Sequence, residues 1–320
     1  MSASNDLRVT IAVLTFRRNE PLIALLPQLL TQLDSVPNPG RVLVVDNDPA
    51  GDARESVTAF GDPRVVYAHE PEPGIVAGRN HALDASSDDD LLIFIDDDER
   101  PTDTWLMNLL RVYDQHRSAG VVGNVLREYE TPPNDFIQAG RFFDRDPIPT
   151  GTSVHAAGTG NLLLDLNQIR QMQIRFDPVF SLSGGSDTMF TREIVRAGGK
   201  LIWCADADVI ELIPASRLTR EWVLQRAFRI GNGGSRTAIA VAETPTERAK
   251  ARVTSLGNGV ARVLGGGVRV LQGTITRSLE TKARGMRTFM RGSGMVSGAI
   301  GYHHDKEYRK SRAAALGSSS

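Results

Sequence analysis

The chain has 320 residues, 41% hydrophobic and 23% charged, the composition of an ordinary globular protein long enough to bury roughly three quarters of its unfolded surface. A single cysteine, Cys204, excludes an intramolecular disulfide and any zinc site built from several cysteines, and it fits a reducing compartment. The net charge of −1 hides a division: residues 1 to 245 hold 23 basic and 34 acidic side chains and residues 246 to 320 hold 14 and 4, so the front is −11 and the tail +10. The tail is therefore expected to meet an anionic surface or partner. The polar stretch Met1 to Arg8 lacks the apolar core of a signal peptide, and no window supplies the roughly 18 apolar residues of a membrane span, so a soluble or peripheral protein is expected.

Val9 to Leu14 predicts a strand, and Asn19 before Glu20-Pro21 reads as the N-cap of an amphipathic helix carrying Leu22, Leu25, Leu26, Leu29 and Leu30. Arg41 to Val45 predicts a second strand, Asp46-Asn47-Asp48-Pro49 a turn, and Asp52 to Phe60 a short helix. Val65 to Tyr67 is a third strand, Pro71 to Gly74 a loop, Val76 to Ala85 a helix and Leu91 to Ile95 a fourth strand. Strands alternating with helices imply a doubly wound, mostly parallel α/β sheet, in which ligands sit beyond the carboxyl ends of the strands. Thr15-Phe16-Arg17, Asp46-Asn47-Asp48 and Asp96-Asp97-Asp98 all fall at such ends.

Further along, a helix is expected over about Thr102 to Gln115 and a strand over Gly120 to Val125. Glu128 to His155, rich in Pro, Asp, Gly and aromatics and without period, reads as a long loop over the site. Gly158-Thr159-Gly160-Asn161 leads into Leu162 to Leu164, with Asp165 capping a short helix. Gly184-Gly185-Ser186-Asp187 opens a helix to about Ala197, Lys200 to Cys204 and Val209 to Ile213 predict two short strands, and Thr219 caps a helix to about Ile230. Beyond Glu243, Val253, Leu256, Val260, Val263 and Leu264 recur at helical spacing; Gly265-Gly266-Gly267 interrupts, and Val268, Leu271, Ile275 and Leu279 resume it.

The acidic triplet carries the most chemistry. Asp96 and Asp98 are two apart, so on an extended backbone they share one side while Asp97 points away. Such oxygen ligands suit magnesium or manganese, which keep waters and bridge diphosphate oxygens; the bland alternative is a solvated acidic turn, as at Ser87-Asp88-Asp89-Asp90. Gly158 and Gly160 allow close backbone approach to a ligand. Trp105 and Trp203 are expected in the core.

The ordered set Thr15-Phe16-Arg17, Val44 to Asp48, Gly74 to Asn80, Phe94 to Asp98 and Gly184 to Asp187 resembles the inverting family 2 glycosyltransferases of the GT-A fold over about residues 8 to 235. Asp96 to Pro101 with Trp105, and Arg217-Leu218-Thr219 with Trp222 and Arg226, resemble the bacterial exopolysaccharide enzymes of the succinoglycan type. The resemblance implies a nucleotide-sugar donor clasped by Thr15, Phe16, Arg17, Asp46 and Asn47. It implies Arg79 near the acidic site or diphosphate, Asp98 as a ligand of Mg2+ or Mn2+, and Asp96 meeting the donor ribose or the metal. Asp97 is placed in the donor region as a structural residue. Asp187 matches the base that deprotonates an acceptor hydroxyl, a task that requires a carboxylate within hydrogen-bond reach; capping the following helix is the other role open to it.

Two departures stand out. Ser186 occupies the position where the family usually has Glu, and no histidine lies between Asp187 and Arg236. Glu211 is the candidate for the late metal ligand, or else an ion-pair partner of Arg217. Gly185 and Ser186 are assigned to acceptor or diphosphate, as are Arg226 and Arg229, whose alternative is a solvated helix face. Their spacing from Trp222 differs from that of processive members, so transfer of one sugar is expected, to a glycan acceptor that is lipid-diphosphate-linked.

The expected division is a GT-A domain over residues 1 to 235, a basic amphipathic helical region over 236 to 316 and a disordered end at 317 to 320. The basic region reads as an interfacial membrane segment or as helices packed on the domain, placing the protein in the cytoplasm at the inner face of the plasma membrane. Nucleic acid is not an expected partner. A nicotinamide-dependent oxidoreductase is disfavoured because Thr15 to Arg18 replaces the glycine-rich turn. A sugar nucleotidyltransferase and a catalytically inactive scaffold of the same fold are the remaining alternatives.

Overall fold

The computed structural model describes residues 6 to 181 and 184 to 302; the expected disordered end lies outside them. The described residues form two compact units. One holds the chain up to Glu128, Pro147 to Ser181 and Ser186 to Leu212; the other holds Tyr129 to Asp146, Gly184-Gly185 and the chain from Ile213. The second unit thus takes in the helical region expected beyond residue 235 together with the chain from Ile213.

In the first unit β1 (Val9–Thr15), α1 (Asn19–Asp34), β2 (Gly40–Asp46), α2 (Arg54–Phe60), β3 (Val65–His69), α3 (Ile75–Ala85) and β4 (Leu91–Asp96) alternate as anticipated. β5 (Glu99–Pro101), α4 (Trp105–His116) and β6 (Gly120–Tyr129) follow. After α5 (Asp135–Gly140) of the second unit come β7 (Ser153–Val154), β8 (Asn161–Asp165), α6 (Leu166–Met172), α7 (Ser186–Arg196) and β9 (Leu201–Ile213).

The strands form one mixed sheet in the order β3-β2-β1-β4-β8-β6-β9-β5, with β7 paired to β9. β1 to β4 are mutually parallel, while β8 runs antiparallel to β4 and β6. Val9, Ile11 and Val13 of β1 pack against Leu22, Leu25, Leu26 and Leu29 of α1 and Trp105 of α4. Ala12, Leu43 and Val45 pack instead with Val76 of α3 and Phe190 and Ile194 of α7. Helices therefore cover both faces, which is why these strands read as unbroken apolar runs. Trp105 and Trp203 are buried as expected.

Register fixes the site edge. Thr15 pairs with Asp46, Leu14 with Asp96, and Ile95 with Asn161, so the ends of β1, β2 and β4 and the start of β8 lie side by side.

Four local expectations change. Asn19 is inside α1 rather than its cap, its side chain donating to the Asp52 carbonyl and carboxylate at 3.1 and 2.9 Å. Glu128 to His155 is not one loop, since β6 runs to Tyr129 and α5 is capped by Asn134. Leu201 to Ile213 is one 13-residue strand, held by β7 near its start and β5 near its end.

The glycine triplet does not break the tail helix: in the second unit α8 (Arg220–Ala240), α9 (Pro245–Ile275) and α10 (Leu279–Ala299) are continuous. The caps predict this well. Thr219 accepts from the Trp222 N–H, and Thr244 with Glu247 forms a capping box ahead of Pro245. Gly266 survives mid-helix because it faces α10: a Cβ there would sit 2.5 Å from the Phe289 nitrogen and 2.9 Å from the Gly285 carbonyl oxygen. Gly265, by contrast, has nothing within 4 Å.

The two neighbours should therefore respond oppositely to alanine. Gly265→Ala should raise stability by up to about 1 kcal/mol through helix propensity, while Gly266→Ala should lower it by about 1–3 kcal/mol through overpacking. Denaturant unfolding of both variants checks the sign; equal shifts would mean that the helix contact does not constrain position 266.

Candidate functional site

The chain leaves the buried β4 into four consecutive acidic residues, and burial alternates along them. Asp96 and Asp98 keep solvent access while Asp97 and Glu99 are buried. Asp97 is fixed from β1 and the turn after it: it accepts from the Thr15 hydroxyl at 3.1 Å and from the Arg18 guanidinium at 2.7 Å. The same guanidinium reaches one oxygen of Asp98 at 3.0 Å. Glu99, opposite Glu211 across β5 and β9, accepts from the Asp96 N–H at 3.2 Å.

Crowded carboxyls hold their protons more tightly. Burial pushes Asp96 up to about 6; the Arg79 charge opposes this, and Asp98, Asp97 and Asp187 add to the rise. Asp96 is thus open to solvent yet closely surrounded by protein. Burial, followed by the Asp96 charge, also drives Glu99 well above the ordinary carboxyl range. Asp97 is raised by burial against the opposing Arg18 charge.

The glycine loop before β8 joins this cluster to Asp187. A Cβ built on Gly160 would lie 2.9 Å from both an Asp96 and a Glu99 carboxylate oxygen, and one on Gly158 would lie 3.5 Å from Asp187 Oδ2. Between them, the buried Thr159 hydroxyl has no hydrogen-bond partner among the described residues. Asp187 sits in the first turn of α7, where Oδ1 accepts from the Thr188 N–H at 2.7 Å, so it stabilises the helix start while Oδ2 faces the loop. Ser186 beside it is buried and accepts from Arg79 at 2.7 Å. Arg79, itself buried and lying over Phe176, has no carboxylate within 4 Å among the described residues.

Several expected residues face inward. Asp46 is fully buried, with oxygens accepting from the Asp48 and Ala53 N–H groups and the Tyr67 hydroxyl at 2.9–3.0 Å. Asn47 spans Glu70 O, Glu72 O and the Gly74 N–H. Both shape the loop after β2 from within. Phe16 is half-buried beneath the exposed Arg17, whose guanidinium pairs with Asp48 at 3.0 Å.

The carboxylate of Glu211 lies 3.6 Å from Arg127. In the second unit Gly185 adopts φ +93°, and Arg226 and Arg229 lie over the Trp222 ring, with Arg226 also donating to the Phe142 carbonyl.

Arg18, Glu99 and Thr159 are site residues that spacing alone does not single out. Arg18 had a signal in being the second of two arginines at a strand end facing an acidic triplet. For Glu99 the signal was parity, since it lies two positions beyond the inward-pointing Asp97.

No group of three or more His, Cys, Asp or Glu forms a metal cage among the described residues. Asp96 and Asp98 nevertheless fit a hard cation as a pair of accessible carboxylates. Of the cations near these carboxylates, Arg18 pairs with Asp97 and Asp98, Arg79 acts on Asp96 and Arg127 lies beside Glu211. Magnesium-type sites commonly use one or two carboxylates and take their other oxygens from phosphate and water.

Residues 10 to 165 match the family described as Glycosyl transferase family 2. The chain is 31% identical over 235 residues to succinoglycan biosynthesis protein ExoM of Rhizobium meliloti (strain 1021), a match covering 71% of this chain and 74% of that protein. Among solved structures, TarS residues 1–349 of S. aureus superposes with a TM-score of 0.50 at 12% identity, covering 89% of this chain and 92% of that one. GalNAc-T7 with UDP, GalNAc and Mn2+ superposes with a TM-score of 0.51 at 12% identity, covering 78% of this chain and 54% of that one. These neighbours share the GT-A fold.

Gly160→Ala should push apart Asp96 and Glu99 and weaken manganese binding about tenfold, the equivalent of overpacking at ~1–3 kcal/mol. Gly158→Ala makes only an ordinary contact and should bind as the native protein does. Titration calorimetry decides between them, and equal affinities in all three proteins would remove the glycine loop from the site.

Proposed function

The chain belongs to glycosyl transferase family 2, and from that premise we propose that it moves one sugar from a nucleotide-sugar donor to a hydroxyl of a lipid-diphosphate-linked glycan, with inversion, in exopolysaccharide or cell-envelope glycan synthesis. The observation that carries this reading is the loop 158 to 160, which touches the accessible Asp96 through Gly160 and approaches Asp187 through Gly158. One loop thus links the carboxylates suited to a cation and diphosphate with a carboxylate suited to an acceptor. The nucleotide-sugar donor is supported by relatives: a second TarS structure, in complex with UDP-GlcNAc, superposes with a TM-score of 0.50 at 13% identity. The exopolysaccharide context follows the succinoglycan relative.

Each residue then has a separate task. Asp96 and Asp98 would hold Mg2+ or Mn2+, which when bound supplies positive charge to the diphosphate oxygens as the sugar leaves. Arg79, with no carboxylate partner among the described residues, adds fixed positive charge beside Asp96 and is oriented by Ser186. Asp187 takes the acceptor proton through Oδ2, since Oδ1 is engaged by the helix start. Thr15 and Arg18 keep Asp97 turned inward and so define which side of the turn Asp96 and Asp98 occupy.

Asp46 and Asn47 shape the loop after β2 from behind, and Phe16 and Arg17 in the turn after β1 are the side chains left to meet the nucleoside. Arg226, Arg229 and Gly185 are assigned to acceptor or diphosphate, and Glu211 to the edge of the cation site with its charge answered by Arg127. No helix among the described residues is long and apolar enough to cross a membrane. A lipid-linked acceptor calls for a peripheral position at the cytoplasmic membrane face, with the basic C-terminal region meeting anionic lipid.

Separating the two carboxylate tasks tests the mechanism. Asp98→Ala should abolish metal-dependent binding of the donor, whereas Asp187→Asn should bind donor normally and lower transfer by roughly 10²- to 10⁴-fold, the usual share of a general base. Donor binding by calorimetry and release of nucleoside diphosphate give the two readouts. Near-normal transfer by Asp187→Asn would overturn the base assignment.

A further inference from the structure

The α9–α10 hairpin is built inside out. Its seam is lined by small residues: Ser255, Gly259, Gly266 and Gly273 of α9 are buried, and a Cβ on Gly259, Gly266 or Gly273 would strike the backbone or side chains of α10. Ala283, Gly285 and Gly292 answer them from α10. The large apolar side chains of α9 point the other way. Val253, Val260, Leu264, Val268, Leu271 and Ile275 are 47 to 74% exposed. At 100° per residue they fall within an arc of about 80° and run along about 33 Å of helix. In water a hairpin ordinarily turns such residues toward its partner helix; small residues inside and large apolar ones outside is the arrangement of helices whose surroundings are apolar.

The charge of the same segment is one-sided. Between Arg248 and Ala299 there are ten basic side chains and one acidic, Glu280. By helical position the exposed Arg252, Arg262 and Arg269 lie beside the small-residue seam, about 120–160° round the helix from the centre of the ridge, while the exposed Lys250 lies at the ridge's own edge. On α10, Arg291 has no ion pair or hydrogen bond among the described residues. Neighbouring arginine charges lower Arg287 and Arg291 in addition to burial, the mark of a region short of counter-anions.

We infer that the α9 ridge is a membrane-docking surface, which lies in the interface of an anionic bilayer with Val253 to Ile275 in the acyl boundary, Lys250 at the headgroup level and the surplus positive charge of the hairpin drawing it to the anionic surface. A second copy of the chain fits less well. Two facing hairpins would bring their surplus positive charges together, and Gly257 interrupts the ridge where a coiled-coil partner needs a knob. The inference specifies the surface for the membrane position proposed above and is independent of the chemistry, because its test uses neither donor nor acceptor.

The full chain should sediment with vesicles of phosphatidylcholine mixed with phosphatidylglycerol and not with phosphatidylcholine alone. Leu264→Ser, Leu271→Ser and Ile275→Ser together should weaken that binding at least about tenfold, since burial of each side chain is lost, while the thermal midpoint in solution stays unchanged. As a direct report, Leu264→Cys carrying an environment-sensitive fluorophore should shift to the blue on mixed vesicles, and Asn258→Cys should not; the native Cys204 is buried. Absence of sedimentation by the native chain, native-like binding by the triple variant, or an unchanged Leu264→Cys spectrum would overturn the inference. So would a dimer that the triple variant converts to monomer, which would identify a second copy as the occupant.

Discussion

The structure depends on how the first unit handles four acidic side chains in a row at the mouth of a buried strand. Like charges this close raise one another's proton affinity, and β4 cannot spread them apart because β1 and β8 hold it in register on both sides. The solution is alternation. Asp97 and Glu99 turn inward, the first onto Thr15 and Arg18 and the second onto the Asp96 N–H, which leaves Asp96 and Asp98 together on the accessible side. The inward pair sets the geometry of the outward pair, and it is this accessible negative charge that the proposed cation would meet.

The same economy explains the departure at position 186. Ser186 gives Arg79 a neutral acceptor, so the arginine stays oriented while its charge acts on Asp96. The glycines of the following loop have a matching reason: Gly160 leaves room for two carboxylate oxygens that any side chain would displace. Catalytic chemistry in this reading is divided between a charge-holding end at β4 and a proton-accepting end at α7, joined by three residues of chain.

Much of this was legible in the sequence. The first four strands announced themselves because helices cover both of their faces, and the register of parallel strands then brought Thr15, Asp46 and Asp96 to one edge without further information. The roles of Asp46 and Asn47 were not legible, since a polar turn reads the same whether its side chains face a ligand or, as here, tie the loop to its own backbone. Glycine misled in the tail. Gly265 to Gly267 reads as a helix breaker, but Gly266 is there to let α10 approach, a requirement set by a helix that follows it in the chain. Similarly, Leu201 to Ile213 reads as two strands because its middle is polar, whereas β5 and β7 supply edge pairing that a local pattern does not contain.

In the proposed site a cation meets two carboxylates and, among the described residues, no cage, so cation and diphosphate would be bound jointly. Manganese binding measured by titration calorimetry with and without a nucleoside diphosphate tests this most directly. The account predicts weak binding of manganese alone and marked tightening when the nucleoside diphosphate is present. Tight stoichiometric binding of manganese alone, unchanged by the nucleotide, would contradict it.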